Sequence, residues 1–395
     1  MTLIMHLMAF IVRPTPASSA SPSSLPLPSL SLFLLMHRSG PHPDRYTLPL
    51  ALKASSHLYS PSLASQLHCL SVKHGLDRSE YTESGVISSY AKLGLFESAR
   101  RVFDENAERK VGSWNAMING YSNGGEGVEV VRLFVEMRRR GVVEDEMTMI
   151  GVVSACGGLG DFRLAQQVHK CAIQVKSSDR LDITVSNSLI DMYCKCGRTD
   201  LAHRVFSRVS QRNVSTWTSI VTGFATYGQE KLALDFFNKM IEEKIHPNHV
   251  TMVAVLNACT HGGLIKEGIH FLENMKELYN IEPNALHYGC VVDMLGRVGR
   301  LKEARKVVER MPMGANVVIW GTLLGASEKY GDVKVGEWAA KNLMELEPWN
   351  DGVYVVLSNI YAKVGMWEKV ERLRKEMRAR RVEKVPGYSL ATRDL

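Results

Sequence analysis

Seven cysteines and thirteen histidines are the side chains of this 395-residue chain best suited to hold a metal or attack an electrophile. Their spacing supports neither task. Cys194 and Cys196 form a lone C-x-C on one helical phrase, without the second pair that a tetrahedral zinc site needs. No histidine opens an H-x-E or H-E-x-x-H phrase, so no zinc-bound water would find its general base. There is no G-x-x-x-x-G-K-[ST], and neither G-x-S-x-G nor G-x-G-x-x-G follows a strand pattern. Cys69, Cys156, Cys171, Cys194, Cys196, Cys259 and Cys290 fall inside helical phrases, several at equivalent places in a repeat, which reads as reduced, buried thiols. The expectation is a chain that is not an enzyme, with no cofactor and no metal.

The informative pattern is positional. Cys156 and Cys259 lie 103 residues apart, as do Trp114 and Trp217, and Gly94 and Gly197. One offset shared by unrelated residue types means internal duplication. The block divides again, because AKLG, CKCG, GRVG and AKVG close short apolar segments at Gly94, Gly197, Gly299 and Gly365. A second helical phrase follows each, as in ESARRVF, DLAHRVF and KEARKVV. The unit is helix, glycine turn, helix: 80–110, 111–145, 146–182, then 183–213, 214–248, 249–284, then 285–316, 317–350 and 351–384. Upstream, 45–79 reads as another unit and 24–44 as the tail of a broken one. Glycine supplies the left-handed stop, and Pro-Asn at 247–248 and 283–284 breaks the chain between units. Ala99, Ala202 and Ala304 let helices approach while the following Val/Phe or Val/Val pair fills the seam. A helix pair cannot bury that face alone, so neighbours must stack. The predicted fold is all-α, a right-handed α-solenoid superhelix of helix-turn-helix repeats.

Net charge is +7 and the sequence pI about 8.9, compatible with a polyanionic partner. Part of the excess is C-terminal, with eight Lys/Arg against four Glu in 366–384. No apolar run is long enough to span a bilayer, so no membrane is expected. The first 43 residues contain no Asp or Glu, and 14–34 are rich in Ser, Pro and Leu. That composition reads as an organellar transit peptide over 1–43, for the mitochondrion first and the chloroplast second.

Three phrases carry a family likeness: NSLIDMYCKCGRTDLAHRVF at 187–206, NVSTWTSIVTGFATYGQEKLALDFF at 213–237 and HYGCVVDMLGRVGRLKEARKVVERMP at 287–312. With the alternation of short, 35-residue and long units, they resemble the PLS class of plant pentatricopeptide repeat proteins. The array would cover 45–316, and 317–384 resembles the paired E motifs that end the E subgroup, before a short tail at 385–395. The resemblance implies binding of single-stranded organellar RNA, one base per repeat, read by the fifth and last residues of each unit. Carried over, Asn115 with Asp145 implies uracil, Asn187 with Asn213 a pyrimidine, and Thr218 with Asn248 adenine. Ser84 with Lys110 and Gly289 with Asn316 are weaker readers. Pro49, Ile150 and Val253 hold the fifth place of the long units, where an apolar side chain cannot read a base. Gly112 and Ser215 stand where the family usually places a bulkier aliphatic that sandwiches the base. A capping role is open to the same residues, since Asn, Asp and Thr at helix starts satisfy free backbone donors.

The resemblance also implies a role in C-to-U editing. The chain contains neither half of the H-x-E and P-C-x-x-C zinc deaminase signature. An editing factor of this kind would recruit a DYW-type deaminase in trans through 317–388, where Trp320, Trp338, Trp349 and Trp367 concentrate. The alternatives are RNA processing, stability or splicing without editing, and a protein–protein interaction scaffold.

Overall fold

The first helix of a repeat stops at a left-handed glycine, and that stop lets the second helix fold back. Gly94, Gly197, Gly299 and Gly365 have φ of 75°, 70°, 78° and 75°, a region that costs glycine no Cβ clash. The residue after each glycine donates its N–H back across the turn, from Leu95, Arg198, Arg300 and Met366 to the carbonyls of Tyr90, Tyr193, Leu295 and Tyr361 at 2.8–2.9 Å. That bond is the six-to-one closure of a Schellman motif.

The computed structural model describes residues 26–174, 182–380 and 382. Among them every regular element is helical. Two compact units result, Met1–Gln211 and Arg212–Leu395. The first holds α1 (Pro26–Arg38), α2 (Thr47–His57), α3 (Pro61–Lys73), α4 (Glu80–Lys92), α5 (Phe96–Glu105), α6 (Val111–Asn123), α7 (Gly127–Arg139), α8 (Glu146–Leu159), α9 (Phe162–Gln174), α10 (Ile183–Lys195) and α11 (Thr199–Arg208). The second holds α12 (Val214–Thr226), α13 (Glu230–Glu242), α14 (His249–Gly262), α15 (Ile265–Tyr279), α16 (Ala285–Arg297), α17 (Leu301–Glu309), α18 (Val317–Tyr330), α19 (Val333–Leu346), α20 (Asp351–Lys363) and α21 (Trp367–Ala379).

Within each unit the first helices of successive hairpins pack on one another: α2, α4, α6, α8 and α10 in one, α12, α14, α16, α18 and α20 in the other. This is the one-dimensional stacking expected of helix-turn-helix repeats, realised in each unit. Ala99, Ala202 and Ala304 are fully buried, and Phe103, Phe206 and Val308 close the seam beside them. Burying a side chain such as Phe103 or Phe237 stabilises the stack by about 1.5–3 kcal/mol. First helices approach closely at Gly120, where a Cβ would stand 2.5 Å from the Cβ of Ala91 on the neighbouring first helix.

A buried tyrosine just before the glycine stop is tied to a polar side chain on a neighbouring second helix. Tyr90 pairs with His68 at 3.1 Å and Tyr193 with His169 at 2.7 Å. Tyr361 donates to Glu337 at 2.9 Å, which Lys369 also reaches at 2.7 Å. These pairs satisfy hydroxyls that burial would otherwise penalise. At the start of the chain, α1 packs on α2 with Leu30, Phe33 and Met36 buried, so the stretch 24–44 contributes a helix to the stack. Residues 1–25 of the expected presequence, and 383–395 with the expected tail, lie outside the described residues.

Candidate nucleic-acid interface

The residue that ends one repeat is also the N-cap of the next first helix. Asp145, Asn213 and Asn248 each close a capping box with Thr148, Thr216 and Thr251. In each, Oδ1 accepts the threonine backbone N–H at 2.8–3.0 Å, and the threonine hydroxyl accepts the N–H of the cap residue. Asn316 caps α18 through Ile319 N–H at 3.0 Å. The capping role therefore holds at all four positions, and it uses only one of the two polar atoms of each side chain.

The fifth residue of the repeat is brought to that cap from some thirty positions away. Asn115 Nδ2 donates to Asp145 at 3.0 Å (Oδ1) and 2.9 Å (Oδ2), and Thr148 Oγ1 donates to Asn115 Oδ1 at 2.6 Å. Thr218 Oγ1 lies 2.7 Å from Thr251 Oγ1, which lies 3.0 Å from Asn248 Oδ1. Two of the pairs named from the sequence, Asn115–Asp145 and Thr218–Asn248, are thus single hydrogen-bonded clusters. Asp145 and Asn248 are exposed and Asn115 half-buried, while Thr218 keeps 8 % of its surface.

Ser84 and Lys110 meet only through Glu80, whose carbonyl accepts from Ser84 at 2.7 Å and whose carboxylate lies 3.6 Å from Lys110 Nζ. At Gly289 a Cβ would stand 3.7 Å from Ile319 Cγ1, so this place sits beside the helix that Asn316 caps. Asn187 lies in the first unit with its Oδ1 buried and without a hydrogen-bond partner among the described residues; Asn213 stands in the second unit, exposed. Sequence reasoning missed two sets of residues. One is the third helical residue after the cap, Thr148, Thr216 and Thr251, all fully buried; its signal was the D/N-x-x-T phrase of a capping box. The other is a row of apolar side chains at the second helical position. Tyr81, Met147, Val250, Leu286 and Val318 are 53–70 % exposed, at the register of Gly112 and Ser215.

A groove of about 550 Å³ opens beside α4 and α6, lined by Ser88, Lys92, Asn119 and Asn123. Burial, and then the nearby Lys53, lower the Lys92 pKa, and no carboxylate pairs with it among the described residues. Equivalent basic side chains are already engaged: Lys195 with Asp191 at 2.8 Å, Arg297 with Asp293 at 2.7 Å, and Lys363 with the Glu328 carbonyl at 2.8 Å.

The expectation of buried thiols holds for Cys156, Cys194 and Cys259, whereas Cys171, Cys196 and Cys290 are half-buried and Cys69 is exposed. Burial pushes Cys156, Cys194 and Cys259 up to about 12 and Cys290 to about 11. Among the described residues no group of three or more His, Cys, Asp or Glu side chains could hold a metal ion, and no helix is long and apolar enough to cross a membrane. The phrase Gly120-Tyr121-Ser122-Asn123-Gly124 has G-x-S-x-G lettering, but it ends α6 rather than forming a strand-to-helix elbow. Trp320 is buried and donates Nε1–H to Ala315 O at 3.1 Å, whereas Trp349 and Trp367 stand largely exposed.

Stacked helical hairpins, two of which bring a polar fifth residue to the next cap, define a helical-repeat protein. PPR repeat models match residues 84–105, 112–142, 184–214 and 286–313, a PPR repeat family model matches 212–261, and an E motif model matches 330–391. A mitochondrial pentatricopeptide repeat-containing protein of Arabidopsis thaliana is 51 % identical over 93 % of this chain and 79 % of its own length. The chain belongs to the pentatricopeptide repeat family, and its E motif fits the E subgroup of the PLS class. A second mitochondrial relative from Arabidopsis is 37 % identical over 91 % of this chain, and a chloroplastic/mitochondrial one 38 % over 90 %. The chain spans 56 % and 57 % of those two. Among solved structures, the pentatricopeptide repeat protein PPR10 in complex with an 18-nt psaJ RNA element shares the fold at a TM-score of 0.61 and 16 % identity, covering 96 % of this chain and 60 % of PPR10.

Proposed function

We propose that this protein binds single-stranded RNA in mitochondria, reads it with Asn115–Asp145, Asn187–Asn213 and Thr218–Asn248, and marks cytidines for C-to-U editing by a deaminase recruited in trans. The observation that carries RNA reading is the joining of Asn115 to Asp145 and of Thr218 to Asn248 in one register, each cluster keeping polar atoms that the cap does not use. The apolar row at the second helical position supports it, since Met147 and Val250 follow directly on the two clusters and offer faces on which bases stack. Lys92 and its groove offer a site for a backbone phosphate. Ser84–Lys110 and Gly289–Asn316 contribute less, because Glu80 engages the first pair and the second has no polar side chain at its fifth place.

The mitochondrial assignment rests on the acid-free, Ser-rich first 43 residues and agrees with the names of relatives. The editing role rests on the E motif, whose region carries the exposed Trp349 and Trp367 as candidate docking anchors. Deep sequencing of organellar cDNA from plants lacking the protein tests it. A discrete set of unedited mitochondrial cytidines, with transcript abundance unchanged, is the expected result. Intact editing with lost or mis-ended transcripts would replace editing by RNA processing, and absence of salt-dependent RNA binding by the purified chain would leave a protein scaffold.

A further inference from the structure

The two reader clusters differ in polarity, and in each a buried threonine hydroxyl holds that polarity in place. In the first, Asp145 can only accept, so the amide nitrogen of Asn115 must face it. The Thr148 hydroxyl then occupies Asn115 Oδ1 at 2.6 Å, while also lying 2.9 Å from Asp145 Oδ1. What remains for a ligand is the second N–H of Asn115 and the further lone pair of Asp145 Oδ2, which already accepts from Asn115 at 2.9 Å: a donor beside an acceptor. That pattern complements an edge with a keto oxygen beside an imide N–H, as in uracil or guanine. With the fifth residue set against the exocyclic group and the cap residue against the ring nitrogen, cytosine and adenine present an amino donor and a ring-nitrogen acceptor, and each contact is mismatched.

The second cluster runs the other way. Asn248 uses its Oδ1 to accept from Thr251 N–H and from the Thr251 hydroxyl. Thr251 and Thr218 share a hydrogen bond of 2.7 Å in which either hydroxyl can donate, and directing the Thr251 proton to Asn248 Oδ1 makes Thr218 the donor. Thr218 then offers only lone pairs, beside the Nδ2 donor of Asn248. An acceptor beside a donor complements adenine or cytosine. The same wiring therefore gives opposite preferences in the two units, and both hydroxyls are fully buried where no base can touch them.

We propose that Thr148 and Thr251 are positioning residues that fix the donor–acceptor polarity of the reader ahead of each, so that unit 111–145 takes a keto–imide base and unit 214–248 an amino base. This rests on the RNA-reading function above and assigns the identity of the base partly to a residue of the following repeat. It also accounts for the poor reader 285–316, where Ile319 stands at the threonine register and has no hydroxyl to give.

The test uses the full chain and a randomised single-stranded RNA pool, sequencing the bound fraction. Asn115→Ala identifies the nucleotide facing unit 111–145 as the one whose preference it erases. If the unaltered chain shows no base preference anywhere, the RNA-reading function itself has failed. If it does, Thr148→Val should cut the uracil-to-cytosine ratio at that nucleotide about tenfold and leave the others alone. Thr148→Ser, which restores the hydroxyl, should restore the ratio, and Thr148→Ala should repeat the loss if Val disturbs folding. Thr251→Val should instead relax the preference for adenine over guanine at the nucleotide facing 214–248. Uniform weakening with every ratio preserved would make the threonines capping residues only and overturn the inference.

Discussion

Replacing Asp145 by Asn changes one atom of the first reader cluster while leaving its cap in place. Asn and Asp cap helices about equally well, and the Oδ1 that accepts from Thr148 N–H at 2.8 Å is retained. The Asn115 bond to Oδ2 at 2.9 Å is lost while that to Oδ1 at 3.0 Å remains, so stability should fall by about 1 kcal/mol or less. The Oδ2 acceptor becomes an Nδ2 donor, which faces the imide N–H of uracil with another N–H and the ring nitrogen of cytosine with a partner. A well-placed pair of base contacts is worth about 1–3 kcal/mol of discrimination, so the uracil-to-cytosine ratio should fall roughly 5- to 150-fold. Removing one negative charge beside a polyanion also tightens binding to every sequence, and salt screens that part. The ratio of two dissociation constants, taken by fluorescence anisotropy on RNAs differing at one nucleotide and at two salt concentrations, separates the effects. A salt-independent ratio equal to that of the unaltered chain would refute Asp145 as a base reader and leave it as a cap.

Other predictions concern the scaffold. His287 is fully buried, its Nδ1 accepting from Asn284 N–H at 3.0 Å and its Nε2 lying 3.1 Å from His249 O, and burial lowers its pKa below 6.5. Its neutral form is the one that folds, so its stabilisation is present above pH 6.5 and is lost as pH falls through the lowered folded value. Denaturant unfolding at pH 7.5 and 5.5 should show the loss, and a His287→Thr variant with an equal loss would contradict it. Gly120→Val should destabilise by about 2 kcal/mol or more, since its Cβ would meet Ala91 at 2.5 Å, whereas Gly158→Ala, with open space around it, should stabilise by about 0.5–1 kcal/mol. Thermal melts of the two variants should move in opposite directions. Iodoacetamide at pH 8 followed by mass spectrometry should label the exposed Cys69 well before Cys156, Cys194 and Cys259, whose thiols burial holds at about 12; prompt labelling of those three would contradict the packing.

Much of the architecture was legible because it is written in short-range chemistry. AKLG and its equivalents announce a helix stop whatever surrounds them, and the structure closes all four with the same turn. The 103-residue offset of Trp114 and Trp217 told that the surroundings repeat, and both indoles are buried. The polarity of the readers was not legible in the same way. Asn115 and Asp145 can be named as a pair by register, yet nothing in their spacing says which amide atom faces inward. The threonines that join each pair, Thr148 and Thr251, looked like ordinary helix-start residues.

The sequence by itself determined the repeat, the helix ends, the absence of catalytic and zinc-site spacing, and the positions that could read a base. Each follows from backbone geometry or from the reach of a side chain within a few residues. Tertiary structure alone decided what those positions present. Stacking brings Asn115 to Asp145, and Thr218 to Thr251 and Asn248, across some thirty residues. It also buries Thr148 and Thr251 out of reach and leaves Met147, Val250 and Leu286 exposed. A hydroxyl has one proton to give, and only the packed neighbours determine where it goes.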